Sequence, residues 1–109
     1  MKPIKVAVFD DNKPRRDLLQ LLLNSSDGLT CTGAFEDCRN IVDNISANVP
    51  DVILMDIDMP YVNGIEGLIQ VREYFPRVKV LMQTIFEDDD KIFDAIIAGA
   101  DGYILKKTP

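Results

Sequence analysis

The sequence of 109 residues contains no histidine and no tryptophan, and it has only two cysteines. Without histidine, the chain cannot form a Ser-His-Asp or Cys-His nucleophile system, a histidine-based zinc-protease motif or a histidine phosphocarrier. Cys31 and Cys38 make no metal-binding pattern by themselves, and we expect both thiols to be free and buried. Any metal that binds here must therefore be one that prefers oxygen ligands.

The sequence also lacks a hydrophobic run long enough to cross a membrane, and residues 1–5 do not begin a signal peptide. Positive charge is scarce: 12 Lys and Arg face 18 Asp and Glu, which gives a net charge of −6. This balance argues against direct binding to a nucleic-acid backbone or to an anionic membrane. We therefore expect a single cytoplasmic domain over residues 1–109, with no membrane contact.

Apolar runs of strand length alternate with segments of helical periodicity along the chain. The predicted strands are 6–9, 29–35, 52–56, 78–83 and 103–105. The predicted helices are one capped by Asn12 with Pro14 in its first turn, one over 38–45, one over 65–75 and one that ends at Gly99. Strands that alternate with helices through short connections favour a doubly wound α/β fold with five parallel strands.

Four of these strands end at polar side chains. Asp10 and Asp11 follow the first strand, Asp56 ends the third, and Thr84 and Lys106 follow the fourth and fifth. The carboxyl ends of parallel strands lie at one edge of the sheet, where open α/β folds bind ligands. We therefore expect three carboxylates, one hydroxyl and one ammonium to meet in a single crevice.

Three neighbouring carboxylates repel one another unless a cation lies between them. Mg²⁺ fits best, because it takes oxygen ligands and is commonly held by one or two carboxylates together with phosphate oxygens. Lys106 adds a second positive charge, and Thr84 adds a neutral donor. A lone aspartate at a strand end is usually a turn former, but the combination predicts a phosphoryl site with a carboxylate nucleophile.

These residues give the chain a resemblance to the receiver domains of two-component response regulators. The resemblance extends over residues 6–106 and includes Asp10-Asp11, the segment DIDMPYVNG at 56–64, Thr84, and the segment GYILK at 102–106. The ending GYILKKT is most similar to the branch that carries a LuxR-type helix-turn-helix output domain. The resemblance implies a flavodoxin-like sheet of strand order 2-1-3-4-5, followed by a fifth helix that this sequence lacks.

The resemblance implies a role for each acidic residue of the crevice. Asp56 would be the phosphoacceptor, which receives a phosphoryl group from a phosphohistidine of a sensor histidine kinase. Asp11 would bind Mg²⁺ directly and Asp10 would hold it through water. Asp58 would contribute its backbone carbonyl to the metal.

The resemblance also implies a switch. Lys106 would contact the phosphoryl oxygens, while Thr84 would turn its hydroxyl toward the phosphate and Tyr103 would move its ring inward. Such a domain catalyses its own phosphorylation without being a conventional enzyme. It would regulate transcription through an output domain outside this chain, and only that domain would bind DNA.

Two other functions remain open. Asp56 and Asp58 have the Asp-x-Asp spacing of haloacid-dehalogenase-like phosphatases, in which Asp58 would be the general acid. Against this reading, the acidic pair precedes the motif, Met59-Pro60 follows it, and the chain contains no cap domain. The other alternative is a receiver-like interaction module that is never phosphorylated, although every motif residue is present.

The lack of a fifth helix predicts an exposed apolar surface. This surface would contain Ile104 of the fifth strand and an apolar stripe on the first helix formed by Leu18, Leu19, Leu22 and Leu23. Monomeric proteins rarely tolerate a large patch of this kind. Either the chain is a fragment of a longer regulator or a second copy covers the surface in a homodimer. We therefore expect a concentration-dependent dimer or a marginally stable monomer, with a fifth strand that opens easily.

Overall fold

Five parallel strands alternate with four helices in the computed structural model, which describes residues 2–84 and 89–105. The strands are Ile4–Phe9 (β1), Leu29–Phe35 (β2), Val52–Asp56 (β3), Lys79–Thr84 (β4) and Gly102–Leu105 (β5). The helices are Lys13–Ser25 (α1), Ile41–Ala47 (α2), Gly64–Tyr74 (α3) and Asp89–Ala98 (α4). None of the helices in this part of the chain is long and apolar enough to span a membrane.

The strands form one sheet in the order β2-β1-β3-β4-β5, and every neighbouring pair is parallel. This order confirms the predicted doubly wound fold. β3 lies in the middle, as the expected strand order implied, and Ile53 and Met55 are fully buried. β2 is one edge strand, as predicted, and β5 is the other.

Asparagine side chains begin two of the helices. The side-chain oxygen of Asn12 accepts a hydrogen bond from the Arg15 N–H at 2.9 Å, which confirms the predicted cap of α1. Asn63 caps α3 in the same way, with the Glu66 N–H at 3.0 Å. Both caps follow strands that carry aspartates at or just after their ends, and they fix where the next helix begins.

The second helix begins later than the sequence predicted. Cys38 was expected to lie in it, but α2 begins at Ile41 and Cys38 lies in the preceding turn. The Asp37 carboxylate accepts from the Arg39 N–H at 3.0 Å, a local bond that competes with helical geometry. Both cysteines are free, as expected, although Cys31 is only half-buried. Burial raises the pKa of the Cys38 thiol to about 12.

The pairing of β1 with β2 is irregular and thereby brings two rings together. The register passes over Thr32, so that Phe35 pairs with Phe9 at the carboxyl ends of the two strands. The two rings stack with their centroids 4.9 Å apart. The Phe35 carbonyl then accepts from the Asp10 N–H at 3.0 Å, which holds the first residue after β1 against the sheet.

The buried core lies mainly between the sheet and the helices α2, α3 and α4. Its members include Phe9, Ile53, Val80 and Met82 from the strands and Ile41, Ile45, Leu68, Val71 and Ala95 from the helices. α1 contributes no fully buried residue, and Leu18, Leu21 and Leu22 are each more than half exposed. Leu19 and Leu23 are partly buried. The predicted apolar surface on this helix is therefore present.

Arg72, near the end of α3, joins three segments at the amino edge of the sheet, opposite the edge that carries the aspartates. Its guanidinium donates to the Gly99 carbonyl at 2.8 Å, to the Val78 carbonyl and to the Asp101 carboxylate. The same carboxylate accepts from the Val80 N–H at 2.8 Å. Burial by itself raises the pKa of Asp101, but the Val80 N–H and the Arg72 guanidinium lower it below its usual value.

Candidate functional site

Three aspartates meet at the carboxyl edge of the sheet. Asp10 and Asp11 follow β1 and Asp56 ends β3, and one carboxylate oxygen from each lies within 4.8 Å of the others. Phe9 and Met55 are register partners, which brings the next residue of each strand to the same level. Asp10 and Asp56 are buried while Asp11 is exposed, so the cluster reaches solvent on the Asp11 side.

The turn after β1 holds Asp10 through both its backbone and its side chain. The Asp10 carboxylate accepts from the Asn12 N–H at 2.9 Å, which forms the turn that leads into α1. Arg16 reaches back from the first turns of α1 and donates to the Asp10 carbonyl at 2.9 Å. Together with the bond to Phe35, these contacts set the position of the buried carboxylate.

The loop after β3 closes tightly around Asp56. The Ile57 N–H donates to the Gln83 carbonyl at 3.1 Å, and the Gly64 N–H donates to the Ile57 carbonyl at 2.9 Å. A Cβ atom on Gly64 would lie only 2.0 Å from the Asp56 carbonyl oxygen. Only glycine therefore fits at the start of α3, which lies directly against the backbone of Asp56.

Asp58 lies in the same loop, but its carboxylate points to α4. It accepts a hydrogen bond from the Lys91 ammonium at 2.9 Å, and both side chains are partly exposed. In the part of the chain that the structure describes, the aspartate cluster contains Asp10, Asp11 and Asp56, and the Asp58 carboxylate lies outside it. The role implied by the resemblance concerns the backbone carbonyl of Asp58, which this ion pair leaves available.

The two residues of the expected switch lie on neighbouring strands. Thr84 is the last residue of β4, is fully buried, and follows Gln83, the register partner of Asp56. Tyr103 lies in β5 and packs its half-buried ring against the core. Lys106, the expected partner of the phosphoryl oxygens, lies outside the described residues.

An open cleft of about 280 Å³ lies beside the exposed aspartate of the cluster. Its lining residues are Asp11, Glu36, Asp37, Arg39, Pro60 and Tyr61. Arg39 donates to the Asp37 carboxylate at 3.0 and 3.2 Å, and its guanidinium carbon lies 3.9 Å from the centroid of the Tyr61 ring. The hydrogen bonds from Arg39 lower the pKa of Asp37 below its usual value.

The donor set of the aspartate cluster suits a hard divalent cation. All of its side-chain ligands are carboxylate oxygens, and no thiol or imidazole joins them in the part of the chain that the structure describes. One exposed and two buried carboxylates leave room for water and for a phosphoryl group on the solvent side. The residues present therefore fit Mg²⁺.

Three residues around the site were not expected from the sequence. Lys91 binds Asp58 from a helix 33 residues further along the chain, and no local pattern links the two. Arg39 lies outside every recognised motif. Tyr61 lies in the segment 56–64 that carries the resemblance, but nothing in the sequence assigned it a positive φ.

Comparisons with known proteins identify proteins that are similar to this chain. The family model described as the response regulator receiver domain matches residues 6–109. The transcriptional regulatory protein YxjL of Bacillus subtilis is 35% identical over 105 residues, which are 96% of this chain and 48% of that protein. The chain thus spans about half the length of this relative.

Solved structures share the fold. The signal receiver domain of the response regulator NarL from Mycobacterium tuberculosis has a TM-score of 0.91 and 28% identity, and the match covers 100% of this chain and 88% of that one. A DNA-binding response regulator of the LuxR family from Staphylococcus aureus has a TM-score of 0.88 at 22% identity, over 97% of this chain and 88% of that one. At that identity the likeness shows the fold alone.

Proposed function

This chain belongs to the family of response regulator receiver domains, and from this premise we propose that it is a phosphorylation-controlled signalling switch with Asp56 as the phosphoacceptor. The observation that carries the proposal is the position of Asp56. Its carboxylate lies at the end of the central strand, next to two further carboxylates and beside an open cleft. A carboxylate held in this way is a suitable nucleophile for a phosphoryl group.

In the proposed reaction an oxygen of the Asp56 carboxylate forms a bond to phosphorus as the bond from phosphorus to a histidine nitrogen of a sensor kinase breaks. Asp11 is proposed to bind Mg²⁺ directly, Asp10 through water and Asp58 through its backbone carbonyl. Bound Mg²⁺ supplies positive charge at the phosphoryl oxygens. Asp10 and Asp56 are already held in place, so little rearrangement is required before reaction.

We further propose that the response is transmitted through β4 and β5. Lys106 would contact the phosphoryl oxygens, the Thr84 hydroxyl would turn toward them, and the Tyr103 ring would move inward. A shift from 1:99 to 99:1 between two states requires about 5.5 kcal/mol of differential stabilisation. Several charge-assisted hydrogen bonds made only in the phosphorylated state can supply it.

The output is proposed to be control of transcription in the cytoplasm. YxjL is a transcriptional regulatory protein, and this chain matches about half of it. A net charge of −6 does not suit this domain for binding DNA directly. We therefore assign DNA binding to an output domain of the LuxR type outside residues 1–109.

The test is phosphorylation by acetyl phosphate in the presence of Mg²⁺, followed by mass spectrometry of the intact protein. The wild type should gain one phosphoryl group, and Asp56→Asn should gain none because an amide is a poor nucleophile. Asp58→Asn is the matched control, since it also replaces a carboxylate of the motif, and it should still be labelled. Equal labelling of the wild type and Asp56→Asn would overturn the assignment.

The same variants separate the two alternatives when labelling and turnover are both measured. A wild type that gains no phosphoryl group under these conditions would favour the interaction module. A haloacid-dehalogenase-like phosphatase would need Asp58 as general acid, and Asp58→Asn would then block turnover. The ion pair of Asp58 with Lys91 gives that reading no support, because it directs the carboxylate away from Asp56.

A further inference from the structure

Tyr61, in the loop between β3 and α3, has a backbone conformation that tyrosine rarely adopts. Its φ of 69° is the only positive value of a non-glycine residue in the described chain. In this left-handed region the Cβ atom crowds the backbone, so glycine is favoured there. The Tyr61 side chain is 74% exposed, so burial in the core does not offset this strain.

The described contact that fixes the Tyr61 ring comes from Arg39. The guanidinium carbon lies 3.9 Å from the ring centroid, within the range of a cation–π interaction. Arg39 is itself anchored by two hydrogen bonds to the Asp37 carboxylate, at 3.0 and 3.2 Å. The Arg39 N–H binds the other oxygen of that carboxylate at 3.0 Å, so the backbone and side chain are held together.

The conformation of Tyr61 determines the shape of the loop that carries the acceptor. Across Tyr61, the Val62 N–H donates to the Pro60 carbonyl at 2.9 Å and closes a three-residue turn centred on Tyr61. Further along, the Gly64 N–H closes the loop onto Ile57, the residue after Asp56, at 2.9 Å. A change of φ at Tyr61 would break the bond that spans it and would strain the closure of the loop from Ile57 to Gly64, which contains Asp58.

We propose that Asp37 and Arg39 are positioning residues that hold Tyr61 in its left-handed conformation and thereby keep the loop between β3 and α3 in the shape of the metal site. Neither residue belongs to the aspartate cluster, so in this proposal they act on the metal site only through the loop. Their part in Mg²⁺ binding rests on the proposed function, whereas their part in loop closure does not.

Charge and positioning make opposite predictions for a neutral substitution of Arg39. Loss of the guanidinium charge would leave Asp37 uncompensated near the aspartate cluster, which would favour Mg²⁺. Loss of the stacked side chain would loosen the loop, which would disfavour it. Arg39→Lys keeps the charge but removes the planar fork and the stack. Any effect of this variant therefore reports positioning.

The first measurement is hydrogen exchange of the Val62 and Gly64 amides by NMR, in the metal-free protein. We expect Arg39→Lys to increase both exchange rates about two- to fivefold, the range that an exposed cation–π contact supports. In a Tyr61→Gly background the same substitution should have no effect, because glycine adopts positive φ without strain. Arg77→Lys, at another exposed arginine, should change neither rate.

The second measurement is Mg²⁺ affinity by titration calorimetry, where Arg39→Lys should bind about two- to fivefold more weakly than the wild type. The exchange result tests the positioning role whether or not the wild type binds Mg²⁺. A wild type that binds no Mg²⁺ would count against the proposed function. Unchanged exchange in Arg39→Lys would overturn the positioning role. So would an equal increase with and without Tyr61→Gly, because the effect would then not pass through Tyr61.

Discussion

Aspartates of one sheet edge differ sharply in their surroundings. Asp10 is buried and bound to the turn that begins α1, Asp11 faces solvent, and Asp58 is paired with Lys91. Their positions within the loops, and not their residue type, decide which of them can share a cation. In the proposed metal site, Asp11 is the carboxylate that opens the cluster to solvent.

We expect Asp11→Ala to weaken Mg²⁺ binding by at least about tenfold, because the cluster loses a carboxylate ligand. Titration calorimetry of the metal-free protein measures this directly. Asp17→Ala is the control, since it removes the same charge from an exposed pair with Lys13 on α1. Equal losses in both variants would show a general charge effect and would remove Asp11 from the site.

The meeting of three aspartates was predictable from the sequence because a strand-end rule applies to them. Asp10, Asp11 and Asp56 lie together because parallel strands end at the same edge. The partner of Asp58 could not be predicted, because Lys91 reaches it only through the packing of α4. The contact of Arg39 with Tyr61 likewise depends on tertiary structure and on a φ value that no sequence pattern assigns.

At the scale of elements, the turn between α4 and β5 is tied to α3 and β4 through Asp101. Its carboxylate binds the Arg72 guanidinium and the Val80 N–H, and these contacts hold its pKa below the usual value. A group with a lowered folded-state pKa stabilises the protein above its unfolded pKa of about 3.9. That contribution is lost as the pH falls through the folded-state pKa.

We therefore expect Asp101→Asn to lower the free energy of unfolding at pH 7, and we expect the difference from the wild type to shrink below about pH 5. Urea unfolding at a series of pH values measures both quantities. Asp27→Asn, at an exposed aspartate after α1, should show no such dependence. A difference that stays constant from pH 7 to acid would contradict the role of the Asp101 charge.

Element boundaries were predictable where the signal is local and failed where it is not. Asn12 capped α1 as predicted, since the cap needs only the chain beside it. The second helix began at Ile41 and not near Cys38, because the Asp37 carboxylate takes up a backbone N–H first. The register shift at Thr32 is a property of the pairing of β2 with β1, which the sequence of β2 alone does not specify.

At the scale of the whole molecule, exposed apolar side chains lie on α1 and β5. Leu18, Leu21 and Leu22 are more than half exposed, and Ile104 and Leu105 are about two-fifths exposed. Apolar surface of this kind favours association. The self-association expected from the sequence stays a prediction.

Light scattering over a concentration series tests it, and the apparent mass should rise toward that of a dimer. Leu22→Lys should suppress the rise. Ile69→Lys is the control, because this equally exposed residue lies on α3, which packs between α2 and α4. A constant monomer mass at every concentration, together with a fifth strand that is strongly protected in hydrogen exchange, would contradict the expectation.

The approach of Gly64 to the Asp56 backbone has a consequence for how sequences of this fold can diverge. The space beneath Asp56 is closed to every side chain, because a Cβ atom would meet a carbonyl oxygen at 2.0 Å. That constraint is steric and persists whether or not Asp56 ever carries a phosphoryl group. A lineage that abandoned the chemistry would be free to replace the carboxylate but not the glycine. Among distant descendants, the glycine should record ancestry of the fold, and the aspartate should record retention of the reaction.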